Sequence, residues 1–282
     1  MPQIINTNVA ALNSARNLSN SQSALATSLQ RLSSGMRVNS AKDDAAGLAI
    51  AERMNSQVRG MNVAIRNAND GISYAQTAEG ALAKVGDALQ RMRELAVQSR
   101  NSTNSDSDKN SLNTEFGQMQ DEITRLLSGT KFNNAAIFAT SGSINFQVGA
   151  GTTGDDSINV NFGSTAFNAN ATITAVTGST AVIGSSADAA AIGTVIDNLD
   201  TALNTINEER GNWGARQTRF ESVISNLQVS VENQSAARSR IMDADFAAET
   251  AALSRNQILQ QAGTAMLAQA NALPQNVLSL LR

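Results

Sequence analysis

Cysteine and histidine are both missing from this 282-residue chain. Their absence excludes thiol nucleophiles, imidazole bases, disulfides and nearly every structural zinc site. Most catalytic constellations go with them. Aromatic residues make up only 4% of the chain, with one Trp and one Tyr, so a large core would have to be built from aliphatic side chains and Ala. Long thin helices suit that inventory better than a globule. A formal net charge of −3 favours neither nucleic acid nor an anionic membrane. No stretch approaches the roughly 20 apolar residues of a membrane span, and residues 1 to 30 show no signal-peptide pattern. The chain reads as soluble, without membrane insertion; if it leaves the cell, it does so without a conventional cleaved signal.

What is present is helical periodicity. An approximate three-four alternation runs from Ile4 through Asn8, Ala11, Ala15, Leu18, Gln22, Leu25, Leu29 and Leu32 to Met36, a coiled-coil seam weakened by small and polar members. Ser33-Ser34-Gly35 offers a helix stop, and Ser40 with Asp43 three residues later offers a new N-cap. A longer helix is expected next, its seam passing through Val58, Met61, Ile65, Ala68, Ile72, Ala75 and Leu82, then shifting to Val85, Leu89, Met92 and Ala96. Asn101 to Asp108 reads as a polar turn. Leu112, Phe116, Met119, Ile123 and Leu126 then mark a third helix ending near Ser128-Gly129, antiparallel to the second.

Composition changes from about residue 130 to 186, which is rich in Gly, Ser, Thr, Asn and Ala. The alternations Ile144, Phe146, Val148 and Ile158, Val160, Phe162 predict β-hairpins and a surface-exposed insertion, with a flexible linker as the alternative. Periodicity returns at Ile192, Ile196, Leu199, Leu203, Ile206, Trp213, Phe220, Ile224, Leu227 and Val231, interrupted by Arg210 and Gln217. At about 1.5 Å per residue such a helix spans about 60 Å and needs a partner of comparable length, which residues 45 to 100 can supply. A last stripe, Leu259, Gly263, Met266, Ala270, Leu273, Val277 and Leu280, predicts a helix running almost to the last residue, with a kink or local break at Pro274.

The two ends point to assembly. Ordering a residue's backbone costs about 1–2 kcal/mol, and a lone helix buries too little apolar surface to offset that. Each end therefore needs the other, and neighbouring subunits, before its apolar stripe is dry. A repeating head-to-tail contact that does not close yields a filament.

The residues at both ends resemble the flagellin family. INTNVAALN (Ile5 to Asn13) and LQRLSSGMRVNSAKDDAAGLAIAERM (Leu29 to Met54) look like its amino end. GARQTRFESVISNL (Gly214 to Leu227) and the run from Arg240 to Arg282 look like its carboxyl end. The resemblance implies a mainly α fold: a long antiparallel coiled-coil or helical-bundle rod built from N- and C-terminal segments, with a small β-hairpin region in the middle. Residues 1–42 and 241–282 would be the helices of the inner filament core. Residues 43–164 and 191–240 would be the rod, and 165–190 a short variable surface-exposed loop. Assembly contacts are expected at Leu18, Leu25, Leu29, Leu32, Leu259, Met266, Leu273, Val277 and Leu280.

The resemblance further implies a secreted, extracellular subunit of the bacterial flagellar filament that polymerises with itself. Its other expected partners are a flagellar export chaperone, the secretion apparatus, and hook-associated and cap proteins. Host innate receptors are also implied: LQRMRELAVQ (Leu89 to Gln98) resembles the stimulatory surface, making Gln90, Arg91, Leu95 and Glu115 candidates for receptor contact. Val277, Leu278, Leu280 and Leu281 match the region read by cytosolic sensors.

No cofactor or metal site is expected. The pairs Asp43-Asp44, Asp121-Glu122 and Asp155-Asp156 read as helix-start, solvated-face and turn chemistry respectively, rather than as an acid/base dyad. None of the glycines precedes the Lys-Ser or Lys-Thr pair of a phosphate loop. A hook-filament junction protein is the nearest rival reading, a secreted coiled-coil binding protein the next, and an enzyme the most distant.

Overall fold

The structure, a computed structural model, describes residues 7–161 and 166–279, with side chains as far as Ala272. The expectations at Ile4, Phe162, Leu280 and Leu281, and those for the side chains of Leu273, Val277 and Leu278, lie outside the described residues. The chain divides into two compact units: a central one of residues 57–231, and a terminal one of residues 1–56 with 232–282. Among the described residues six α-helices and two short β-hairpins follow in the order α1 (Val9–Ser34), α2 (Ala45–Ser99), α3 (Asp106–Gly129), β1 (Lys131–Phe132), β2 (Ala135–Ala136), β3 (Ser143–Gln147), β4 (Ser157–Asn161), α4 (Ala171–Thr177), α5 (Ala189–Met242) and α6 (Phe246–Ser279).

Local chemistry explains most boundaries. Gly35, left-handed at φ 70°, ends α1 by donating its N–H to the Arg31 carbonyl. Ser105 and Asp108 form a reciprocal capping box that starts α3. Asn133 and Asn134, both at positive φ, make the two-residue turn between β1 and β2. One expected cap is corrected. The Asp43 carboxylate accepts from Asn39 N, Ser40 N and Ser40 Oγ, which builds a turn rather than a helix start. Asp44 is the residue that caps α2, its Oδ1 accepting from Gly47 N at 2.7 Å. The expected break at Pro274 is also absent, since α6 continues to Ser279. Proline removes one backbone donor and crowds the preceding turn, which bends a helix without having to end it.

In the central unit, Leu82, Val85, Leu89, Met92 and Ala96 of α2 bury against Phe116, Ile123 and Leu127 of α3 and Leu199, Ile206 and Trp213 of α5 in one cluster. The few aromatics are concentrated here. The Tyr74 ring lies 5.5 Å from Phe132, 5.8 Å from Phe146 and 5.7 Å from Trp213 by centroid. Burial pushes the Tyr74 phenol up to about 12, so it stays neutral. The β3–β4 hairpin lies against α2, where Asn67 donates to the Gln147 carbonyl at 3.0 Å. A Cβ on Gly60 would fall 2.8 Å from that of Ala150, so only glycine permits this approach.

Arg210 and Gln217, which interrupt the α5 stripe, both reach Glu79 of α2, at 3.7 and 3.5 Å. On the other flank of Trp213, Glu209 pairs with Arg216 at 3.3 Å, and the Arg216 guanidinium lies 4.5 Å from the indole centroid.

The expected surface-exposed loop over 165–190 is corrected. From residue 166 the chain folds back and buries Ile173, Val176, Ile183 and Ala187 in the central core. Amides on α3 hold its backbone. Gln120 donates to the Val176 and Ala181 carbonyls, Asn113 accepts from Ile183 N, and Asn110 accepts from Ser185 N. Low-complexity composition conceals this packing because the holding bonds come from residues on another element.

Candidate assembly surface

In the terminal unit, α1 and α6 form an antiparallel pair. Arg31 Nη1 meets Glu249 Oε1 at 3.0 Å, Leu18 packs at Gly263, and Asn8 Nδ2 donates to the Ala270 carbonyl at 2.7 Å. Residues 36–38 and 242–244 close one end: Ala244 N donates to the Gly35 carbonyl and Arg37 N to the Met242 carbonyl. A small cluster of Val38, Ala51 and Met242 fills that junction.

Burial locates the seam between the two helices. Apart from Arg31, the shielded positions on α1 are Ala11, Ser14, Leu18, Ser21, Leu25, Ser28 and Leu32, a strict three-four heptad alternation. On α6 they include Glu249, Leu253, Asn256, Gln260, Gly263, Leu267 and Ala270 in the same alternation. The stripe expected on α1 therefore combined two faces. Leu18, Leu25 and Leu32 lie on the seam, but its alternate members are serines, and Ala15, Gln22 and Leu29 face solvent. Sequence reasoning misses the serines because a polar residue at every second seam position does not register as apolar periodicity.

The outward side carries large apolar side chains among its polar ones. Met266 is 62% exposed, Leu259 48% and Leu29 49%, and Val9, Leu12, Phe246 and Ile258 are exposed with them. Leu259 and Met266 are seven residues apart, which places them on one line along α6, next to the seam but outside it. The expected assembly residues thus separate into three groups. Leu18, Leu25 and Leu32 are spent within the chain. Leu29, Leu259 and Met266 are turned out. Leu273 and Val277 lie on helical backbone, but their side chains are outside the described residues, as is Leu280 entirely.

The second expected set, Gln90, Arg91, Leu95 and Glu115, is brought together only in part. Arg91 donates through Nε and Nη2 to Glu115 and through Nη1 to Glu94, all at 2.8–2.9 Å. These bonds, to Glu115 first, raise the guanidinium pKa further. Gln90 is exposed beside them. Leu95 is 1% exposed and belongs to the core, so its side chain is not offered to a partner. The Leu95 expectation is corrected on that ground: in the i, i+3 series of α2 it falls on the inward face with Met92.

The acidic pairs do structural work. Hydrogen bonds from Ser40 and from the Ser40 and Asn39 backbone hold the Asp43 carboxyl below its usual range. Thr153 does the same for Asp156, and Arg125 for Glu122. Among the described residues no group of three or more acidic side chains is placed to hold a metal ion, and no helix is long and apolar enough to cross a membrane.

Comparison with known proteins points the same way. Residues 5–143 match the bacterial flagellin N-terminal helical region, and residues 196–281 the bacterial flagellin C-terminal helical region. The chain is 45% identical over 280 residues to a flagellin of Halalkalibacterium halodurans, covering 99% of this chain and 100% of that one. It is 42% identical over 295 residues to the flagellar filament 31.3 kDa core protein of Treponema maltophilum, covering 99% and 100%. Among solved structures, a putative flagellar hook-associated protein from Vibrio parahaemolyticus shares the fold at TM-score 0.54 and 15% identity, over 71% of this chain and 100% of that one.

Proposed function

The chain belongs to the bacterial flagellin family, and on that premise we propose that its outward apolar side chains Leu29, Leu259 and Met266 are contacts through which terminal helices of neighbouring subunits pack in the filament. Flagellins are structural proteins, not enzymes; they polymerise, and the filament they build is the extracellular flagellum. The observation that carries the residue-level reading is the exposure of large apolar side chains on a helix pair with almost no core of its own. In this reading residues 1–42 and 241–282 line the inner filament core, and 43–164 with 191–240 form the rod. Leu18, Leu25 and Leu32 act indirectly, by holding α1 to α6. Leu273 and Leu280 continue the seven-residue spacing of Leu259 and Met266 in the sequence, whereas Val277 continues that of Gly263 and Ala270.

Secretion, an export chaperone and secretion apparatus, and hook-associated and cap proteins complete the proposal as partners of the same termini. A further role as a ligand of host flagellin receptors is assigned to the exposed Gln90, Arg91 and Glu115, with Arg91 already oriented by its carboxylate partners. A reporter-cell assay tests this role: loss of response in Arg91→Ala supports it, and no response to the intact monomer removes it.

Seeded polymerisation followed by negative-stain electron microscopy tests the main reading, comparing the intact chain with one lacking residues 1–40 and 245–282. Long tubes from the intact chain alone are expected. Absence of filaments from seeded intact protein contradicts the proposal and favours a hook-filament junction role.

A further inference from the structure

The α1–α6 seam does not specify its own alignment. Leu18, Leu25 and Leu32 recur every seven residues, and so do Ser14, Ser21 and Ser28. Sliding one helix past the other by a heptad would present Leu and Ser to α6 much as before, so the apolar pattern leaves registers spaced by seven residues nearly equivalent. The backbone bonds between residues 35–38 and 242–244 also oppose a slip, which would break them, but they lie beyond the ends of the two helices and read none of the seam side chains.

Two side-chain contacts do distinguish the registers. Glu249 occupies a seam position with its side chain only 13% exposed, and its partner is Arg31 at 3.0 Å. A shift of seven residues would set Ala24 or Val38 opposite Glu249 and leave a shielded carboxylate without a cation. Gly263 is the one glycine of α6, and a Cβ there would lie 3.2 Å from Leu18 Cδ1. The same shift would set Leu18 against Asn256 or Ala270, where a side chain occupies that space.

We infer that Arg31 with Glu249, and Leu18 with Gly263, are positioning residues that select one register of the terminal helix pair. The inference rests on the proposed assembly surface and adds to it. A heptad slip carries Leu259 and Met266 about 10 Å along α1, so register decides how the outward apolar side chains of α6 are placed relative to those of α1 when a neighbouring subunit packs on them. The polar contacts act by penalising wrong alignments more than by strengthening the right one, which is the best-attested use of a polar pair in a coiled-coil seam.

The lack of cysteine makes the register directly readable. In the observed alignment Ser21 stands opposite Gln260, so S21C/Q260C reports the native register while S14C/Q260C and S28C/Q260C report slips in either direction. Each double variant of the full chain is oxidised as filament and as monomer, and intrachain disulfide yield is read on non-reducing gels. The native pair is expected to exceed each slipped pair by about tenfold or more, and the preference to fall at least about threefold when R31L/E249L is added. The charge swap R31E/E249R should restore it. An unchanged preference in R31L/E249L, with helix content kept, overturns the inference. Should R31L/E249L fail to fold, the isosteric E249Q takes its place: a reduced preference supports the register role and an unchanged one overturns it. Unmodified chain that forms no filament counts against the assembly surface; the yields in the monomer then decide the register, and equal yields from the three pairs overturn it.

Discussion

Residues 57–231 and the two ends of the chain are made of the same kind of amphipathic helix, yet they bury their apolar faces differently. The central unit packs three long helical segments, two hairpins and a folded-back segment around Leu82, Leu89, Phe116, Ile123, Leu199 and Trp213, all at most 1% exposed. In the terminal unit, only Val38, Ala51, Met242 and Ala270 among the described apolar residues are buried. Serines alternate with larger residues on the α1 side of its seam, and Leu29, Phe246, Ile258, Leu259 and Met266 face out. One unit has a core of its own, whereas the other leaves large apolar side chains uncovered, the arrangement that the proposed assembly surface requires.

The largest effect that would sharpen this contrast is a cavity at the centre. Trp213→Ala should cost the central unit about 3–5 kcal/mol, read as a large drop in its thermal midpoint. A smaller loss is expected from Gly71→Ala, whose new Cβ would fall 2.7 Å from the Phe220 ring; about 1–3 kcal/mol is the usual cost of such overpacking. The terminal helices should behave in the opposite way. Leu259→Ser with Met266→Ser should change the monomer's melting by no more than about 0.5 kcal/mol per site while abolishing filament growth in seeded assays. A melting loss comparable to that of Trp213→Ala would show that the ends have a core after all.

Acid should act mildly on both units. Asp43 in the terminal unit and Asp108 and Asp156 in the central unit all have folded pKa values below the ordinary one, Asp43 and Asp108 first through a serine hydroxyl and Asp156 through a threonine hydroxyl. A depressed pKa gives stability that is present above the unfolded value and lost as pH falls through the folded one, so the decline begins near pH 4 and continues below it. Melting curves between pH 7 and pH 2 check the sign. Ser105→Ala, which removes the main cause of the Asp108 shift, should flatten the acid dependence of the central unit slightly.

Much of this arrangement is legible in the sequence because period and capping are local. The stop at Ser34-Gly35, the capping box at Ser105 and the α2 and α5 stripes are written in neighbouring residues. What escapes is set by distant groups. Ser40 and Asp43 carry the letters of a capping box but close a turn, because Asp44 offers the better-placed cap one residue on. Arg210 and Gln217 look like faults in a stripe until Glu79 is placed between them. Residues 166–188 read as loop because their burial depends on Asn110, Asn113 and Gln120 more than fifty residues earlier. For the assembly surface, spacing alone identifies apolar members of α1 and α6 but does not separate those facing each other from those facing out; only the burial of Ser14, Ser21 and Ser28 fixes the phase.

Hydrogen exchange measured on monomer and on filament tests the contrast most directly. Amides of α1 and α6 should exchange rapidly in the monomer and become strongly protected in the filament, while those of α2, α3 and α5 within residues 57–231 stay protected in both. Protection of α1 and α6 in the monomer equal to that of the central helices would contradict the account, because the ends would then be stable before any neighbour had covered them.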